Sequence, residues 1–178
     1  MIRYRRIEIT PRDIYWNEGG ELVCISTEES FFILKYNSEA AAKALQTKEN
    51  LTEDGVEDAF DVVAEIQEVV KTGAVVDVAS HRIYSIGNTF PSLGASLFHH
   101  SPFAGLWVGD CFLYTNTVNR LNYYVGGEIV TISHLDRVMY LLGYIPKDNR
   151  VYLGDKDLNI VSFQVNVVDL WSGGFLRH

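Results

Sequence analysis

The sequence predicts an all-β fold, a propeller or a sandwich, and three observations carry that prediction. Short apolar runs recur at nearly even spacing between Leu106 and Val165, each run is closed by a turn signal, and no catalytic motif interrupts them. Strands of roughly 5–8 residues repeating every 8–12 or so are the mark of antiparallel all-β architecture.

The runs are 106–114, 120–125, 128–134, 138–145, 150–154 and 158–165, all rich in Val, Ile, Tyr, Leu or Phe. Between them stand residues 115–119, Gly126-Gly127, Leu135-Asp136-Arg137, Pro146-Lys147-Asp148-Asn149 and Gly154-Asp155-Lys156-Asp157. These joints supply residues that accept positive φ or preset a turn. Gly126-Gly127, set between two apolar runs, is the sharpest hairpin signal in the chain.

The N-terminal part has the same meter, with predicted strands at 3–9, 14–16, 21–26 and 30–36, broken by Thr10-Pro11 and by residues 17–20. Residues 38–46 then change character. Alanine repeats with Leu, Lys and Gln predict a short helix capped by Asn37 or Ser38, set in a loop between strands. Residues 49–70 are acidic and match both periods: propensity favours helix, while Phe60, Val62, Ala64 and Ile66 also alternate. Residues 74–105 have no clear periodicity and hold three of the five histidines, His81, His99 and His100; the tail 166–178 also loses the meter.

Composition bounds the function. The chain has 178 residues, 47% hydrophobic and 21% charged, which is enough for a sizeable core. A net charge of −8 argues against a nucleic-acid partner, since phosphate binding draws on clustered Lys and Arg. The one basic cluster is Arg3, Arg5 and Arg6, which a strand would divide between its two faces. The first residues lack the apolar core of a signal peptide, and no run approaches the ~18 apolar residues of a membrane span, so a cytoplasmic protein without a transmembrane segment is expected. Cys24 and Cys111 are far apart and form no CxxC pair, so reduced core cysteines are expected. Asn50-Leu51-Thr52 fits the glycosylation pattern by chance in a chain with no secretory signal.

Residues that could carry chemistry do not assemble into a motif. His99-His100 beside Ser101 would point to opposite faces of an extended chain, with no carboxylate or cysteine at ligand spacing. His134 near Asp136 reads as a surface pair at a strand end. Asp155-Lys156-Asp157-Leu158-Asn159 opens like a calcium loop but has Ile160 where the sharp turn needs Gly and Asn166 where the bidentate Glu belongs, so a tight turn is expected. No glycine pattern matches a phosphate cradle or a nucleophile elbow. The carboxylates of 49–68 read as a solvated face. Catalytic, cofactor and metal residues are therefore expected to be none, and the protein is expected not to be an enzyme.

The wording of the strand blocks is more specific than their spacing. GELVCISTEESFFILKYNSE, EDGVEDAFDVVAEIQEVVKTG and the long block from Leu106 through about Phe163 resemble the beta-prime subunits of coatomer, the COPI vesicle coat. The resemblance covers about residues 3–73 and 106–163, and corresponds to the WD-associated region that forms part of the second β-propeller of that family.

It implies a partial propeller of antiparallel four-stranded blades with an incomplete ring, in which 1–73 and 106–165 belong to one domain. It also implies a structural role in Golgi-to-ER and intra-Golgi transport, with alpha- and epsilon-type coatomer subunits as partners and, indirectly, an Arf-type GTPase and the Golgi membrane. The dilysine-binding surface of the family belongs to its first propeller, and none of its residues stands here. Two stretches depart from the family pattern: 74–105, read as an insertion or as translated intron bordered by Gly73 and Gly105, and the tail 166–178. The alternative role is a free-standing interaction module or truncated isoform.

Overall fold

The structure is a computed structural model that describes residues 6–71, 74–77, 82–85, 98–101 and 105–165. The predicted tail 166–178 and His81 lie outside the described residues. The chain forms two compact units, Met1–Val69 and Val70–His178. All described strand pairs are antiparallel, and among the described residues none of the sheets closes on itself.

The first unit is built on β1 (Asp13–Trp16), β2 (Leu22–Ser26), β3 (Phe31–Tyr36) and β6 (Phe60–Ile66), side by side in that order. Strand alternation gives the sheet two apolar faces. On one face Val23, Ile25 and Leu34 are buried with Phe32 and Phe60 beside them; on the other Cys24, Phe31 and Ile33 are fully buried. The predicted strand at 3–9 is not formed over its described part, residues 6–9. Its alternation has another cause: Ile7 and Ile9 pack down onto the Val23–Leu34 face, while Arg6 and Glu8 turn outward. A period of two thus reports a covered face here, not a ladder.

Between β3 and β6 the chain makes α1 (Ser38–Thr47) and a small hairpin, β4 (Leu51–Thr52) with β5 (Gly55–Val56). Asn37 is the helix cap: its Oδ1 accepts from the Ala40 N–H at 3.0 Å. The small side chains of Ala41 and Ala44 let the helix settle on Val56 and Ala59. Of the two readings open for 49–70, strand holds over Phe60–Ile66, where ladder pairing with β3 outweighs helix propensity.

The second unit holds β7 (Ala74–Asp77), β8 (Arg82–Ser85) and β9 (Phe98–Ser101), a three-stranded sheet in the order β8-β7-β9. These strands fall where no period was legible, because each run is four residues, too short for alternation to declare itself. A four-stranded sheet follows, made of β10 (Gly105–Val108), β11 (Cys111–Thr115), β12 (Arg120–Val125) and β13 (Glu128–His134). The predicted run 106–114 is in fact two strands, folded at Gly109-Asp110 with Gly109 at φ 59°. Gly126 and Gly127, at φ 57° and 93°, make the predicted two-residue hairpin turn, with Val125 paired to Glu128.

The last sheet is β14 (Tyr140–Ile145), β15 (Arg150–Gly154) and β16 (Ile160–Gln164). It packs face to face on the four-stranded sheet through one core of Cys111, Leu113, Leu121, Met139, Leu141, Val151, Leu153 and Val165. Among the described residues the fold is all-β with one α-helix, as expected.

The turns β11–β12 and β15–β16 are copies of one another. Asn116 Oδ1 accepts from the N–H of Val118 (3.2 Å) and Arg120 (2.9 Å); Asp155 Oδ1 accepts from Asp157 and Asn159 (both 2.9 Å). In each, the fourth residue has positive φ, Asn119 at 58° and Leu158 at 62°. Both acceptors are buried, 3% exposed, and are thereby satisfied by the backbone they organise.

Candidate interaction surface

The residues with chemically capable side chains stay dispersed. His99 and His100 sit on β9 opposite Val76 and Val75, and Ser101 opposite Ala74. His134 ends β13, exposed, and the Asp136 carboxylate pairs with Arg137 at 3.3 Å. The loop that opens like a calcium site is the β15–β16 turn. Asp155 uses its oxygens on Asp157, Asn159 and Arg137, whose Nη1 lies 3.3 Å away, and so orders a turn as the sequence led one to expect. The Asn159 side chain, at 2.8 Å, leads the hydrogen bonds that hold the Asp155 carboxyl below the usual carboxylate range. Among the described residues no group of three or more His, Cys, Asp or Glu is placed to hold a metal. Both cysteines are buried free thiols, and burial pushes Cys111 up to about 12, which keeps it protonated and unreactive. Arg6 pairs with Asp54 at 3.9 Å, both side chains largely exposed.

The structure offers surfaces instead. In the first unit, register places Trp16, Val23, Leu34 and Val62 in one row across the four strands. Ile7 and Ile9 cover the middle of that face. Its margins stay open, with Ile14 53%, Trp16 49% and Val62 64% exposed. Trp16 meets Tyr36 edge-on at 6.2 Å between ring centroids, and Phe60 lies 6.1 Å from Trp16 and 5.1 Å from Tyr36. An apolar face with an aromatic group at its rim is suited to packing against another sheet.

In the second unit that kind of packing is realised. Face-to-face burial between the β10–β13 and β14–β16 sheets is reinforced by Lys71. Its N–H donates to the Thr115 carbonyl at 2.7 Å, its ammonium donates to Asn119 Oδ1 at 3.1 Å, and the same ammonium lies 5.5 Å from the centre of the Tyr140 ring. Lys71 thus ties the β11–β12 turn to the first strand of the next sheet, and burial lowers its pKa. Sequence reasoning missed both Lys71 and the Trp16–Tyr36–Phe60 cluster. The only advance signal was the kinship of Asn116-x-x-Asn119-Arg120 and Asp155-x-x-Leu158-Asn159, which marks two equivalent turns.

Comparison with known proteins accounts for this arrangement. The family model of the COPA/B second beta-propeller matches residues 99–155, a stretch running from within β9 to just past β15. Coatomer subunit beta' of Rattus norvegicus is 60% identical over 163 residues, covering 92% of this chain and 14% of that one. The Homo sapiens protein of that name is 59% identical over the same shares, and the Drosophila melanogaster protein 51% over 93% and 15%. The chain therefore spans about one seventh of the length of these relatives. By these matches in sequence the chain belongs to the coatomer beta' family, to a stretch of it that holds part of the second β-propeller.

Proposed function

We propose that this chain is a structural part of the COPI vesicle coat, acting in Golgi-to-ER and intra-Golgi transport. The observation that carries the reading is 60% identity over 92% of the chain to a coatomer subunit. Its role is mechanical: stacked antiparallel sheets supply a rigid body for assembly, and it performs no reaction. Its partners are other coatomer subunits, of alpha and epsilon type, and through them an Arf-type GTPase and the cytoplasmic face of the Golgi membrane. No helix among the described residues is long and apolar enough to cross a membrane, so attachment through partners is the route this reading requires.

In this reading residues 1–73 and 106–165 contribute to one propeller domain, and 74–105 is an insertion ahead of β10. The apolar face bearing Ile14, Trp16 and Val62 is where a neighbouring blade packs. The test is affinity purification of the tagged chain from cells, with Golgi imaging alongside. Recovery of other coatomer subunits and a Golgi-associated signal are expected. A chain that returns none of them, while tagged full-length coatomer beta' does, overturns the proposal.

A further inference from the structure

We infer that the outer edge of β16 is a docking strand for an extended, carboxylate-bearing segment of a partner protein. This goes beyond the coat reading and does not depend on it. Four observations lead there.

The first is topological. β16 is the outermost strand of its sheet and pairs only with β15 among the described strands. At one end the Val165 N–H donates to the Asn149 carbonyl at 2.8 Å, and at the other the Asp155 N–H donates to the Asn159 carbonyl at 3.1 Å. Both ends fix the same phase. By the alternation of an antiparallel ladder with no bulge, Val161 and Phe163 bond to β15, while the main-chain groups of Ile160, Ser162 and Gln164 point away from it. An outward row of donors and acceptors is a template for strand addition.

The second is an arginine. Arg150, half-buried on β15, reaches across β16: its Nε donates to Ser162 Oγ at 2.9 Å and its Nη2 to the Ser162 carbonyl at 3.1 Å. Both acceptors are neutral, and among the described residues no carboxylate lies within ion-pair distance of Arg150. The cation is therefore held at the middle of the edge with N–H donors left over, in the fork geometry that suits a carboxylate.

The third is apolar contact on both sides of the strand. Register puts Ile160 on the face of Arg150 and Ser162, and Val161 on the face of Val151 and Leu153, which belong to the core. Ile160 is 60% and Val161 38% exposed, so an incoming strand meets a β-branched side chain on either face. Residues 158–165 carry no charge of their own, and residues 70–165 hold seven acidic and seven basic side chains, so no net negative field opposes an acidic segment here.

The fourth is contrast. β13 is also outermost in its sheet, but its ladder is broken by a bulge at Leu121/Asn122 and it carries a carboxylate, Glu128. A bulge twists an edge away from pairing, and a like charge there turns an acidic segment aside.

The experiment uses the whole chain and a fluorescent peptide of alternating Glu and Val, compared with a Lys-Val peptide and with a Glu-Val peptide interrupted by Pro, which cannot pair as a strand. Anisotropy is expected to show the Glu-Val peptide binding at least about tenfold more tightly than either control, with affinity falling as salt rises. Amide exchange at Ile160, Ser162 and Gln164 is expected to be fast in the chain alone and to slow on binding. Arg150→Gln, which removes the charge and keeps an amide donor for Ser162, is expected to weaken binding about tenfold at unchanged circular dichroism. Gln164→Pro, which deletes an outward N–H and no bond to β15, is expected to weaken it as well. Slow exchange at these three amides without peptide overturns the proposal, because the edge is then already covered. Equal binding of the Pro-interrupted peptide, protection confined to β13, or an Arg150→Gln chain that binds as well as the parent overturns it too.

Discussion

The two four-stranded sheets share one order, first strand to fourth, yet join their last two strands in opposite ways. In the second unit β12 turns into β13 through Gly126-Gly127 alone. In the first unit residues 37–59, a helix and a hairpin, stand between β3 and β6. The frame tolerates this because both ends of the insertion return to adjacent ladder positions: Tyr36 still pairs with Phe60, and loop length adds closure entropy only slowly. The insertion also shifts the chemistry. It carries much of the acidic excess to the first unit and leaves the second balanced. A repeated frame can therefore hold its core constant while an inserted connection gives one copy a distinct surface.

The largest difference should appear in the cores. Phe112 is fully buried against Trp107 and Tyr114, with centroids at 5.1 and 5.8 Å, whereas the aromatic cluster of the first unit leaves Trp16 half exposed. Phe112→Ala should cost about 3–5 kcal/mol by urea denaturation, and Trp16→Ala clearly less; equal losses would mean that the two clusters are buried alike.

Next comes Gly105, where an added Cβ would overlap the Phe112 ring. Gly105→Ala should cost about 1–3 kcal/mol. Gly19→Ala, with only Asn17 nearby, should cost little in the same measurement.

The connection itself is tested by Asn37→Ala. Losing the cap should cost about 1 kcal/mol and reduce the helical signal in circular dichroism, with β12–β13 amide protection unchanged.

A gain is expected at Leu158. The equivalent position of the sister turn is Asn119, a residue that accepts the left-handed region, whereas Leu158 is strained there. Leu158→Gly should stabilise by up to about 1 kcal/mol, read as a higher urea midpoint.

The smallest effect concerns pH. The folded Asp155 carboxyl titrates below its unfolded value, so its contribution is present above the unfolded pKa and is lost as pH falls through the folded one. An acid titration of Asp155→Asn should lack that part of the loss, while Asn116→Asp should acquire a similar dependence if the two turns are true equivalents.

How far the sequence disclosed this molecule depended on locality. Gly126-Gly127 and the strand Arg150–Gly154 were legible because a two-residue turn and a short apolar run announce themselves in neighbouring letters. The turn at Gly109-Asp110 was not, since Val108 and Cys111 close over it and the run reads as one strand. Ile7 and Ile9 alternate like a strand because they cover a face, and alternation cannot distinguish covering from pairing. The surfaces were less legible still. Lys71 takes its role from Thr115, Asn119 and Tyr140, which are brought together only by folding. The carboxylates of 49–68 were visible as composition, but the place of Asp61 and Glu65 on the last strand of the first sheet came from strand order.

The twin turns also supply a measure of the chain. From Asn116 to Asp155 is an interval of 39 residues, close to the length of one propeller repeat. On that scale β10 opens a repeat at Gly105, and among the described strands the sheet β8-β7-β9 just ahead of it is paired only within itself. In the proposed reading of residues 74–105 as an insertion, the added sequence enters at a joint of the periodic frame and leaves the phase of the strands that follow unchanged.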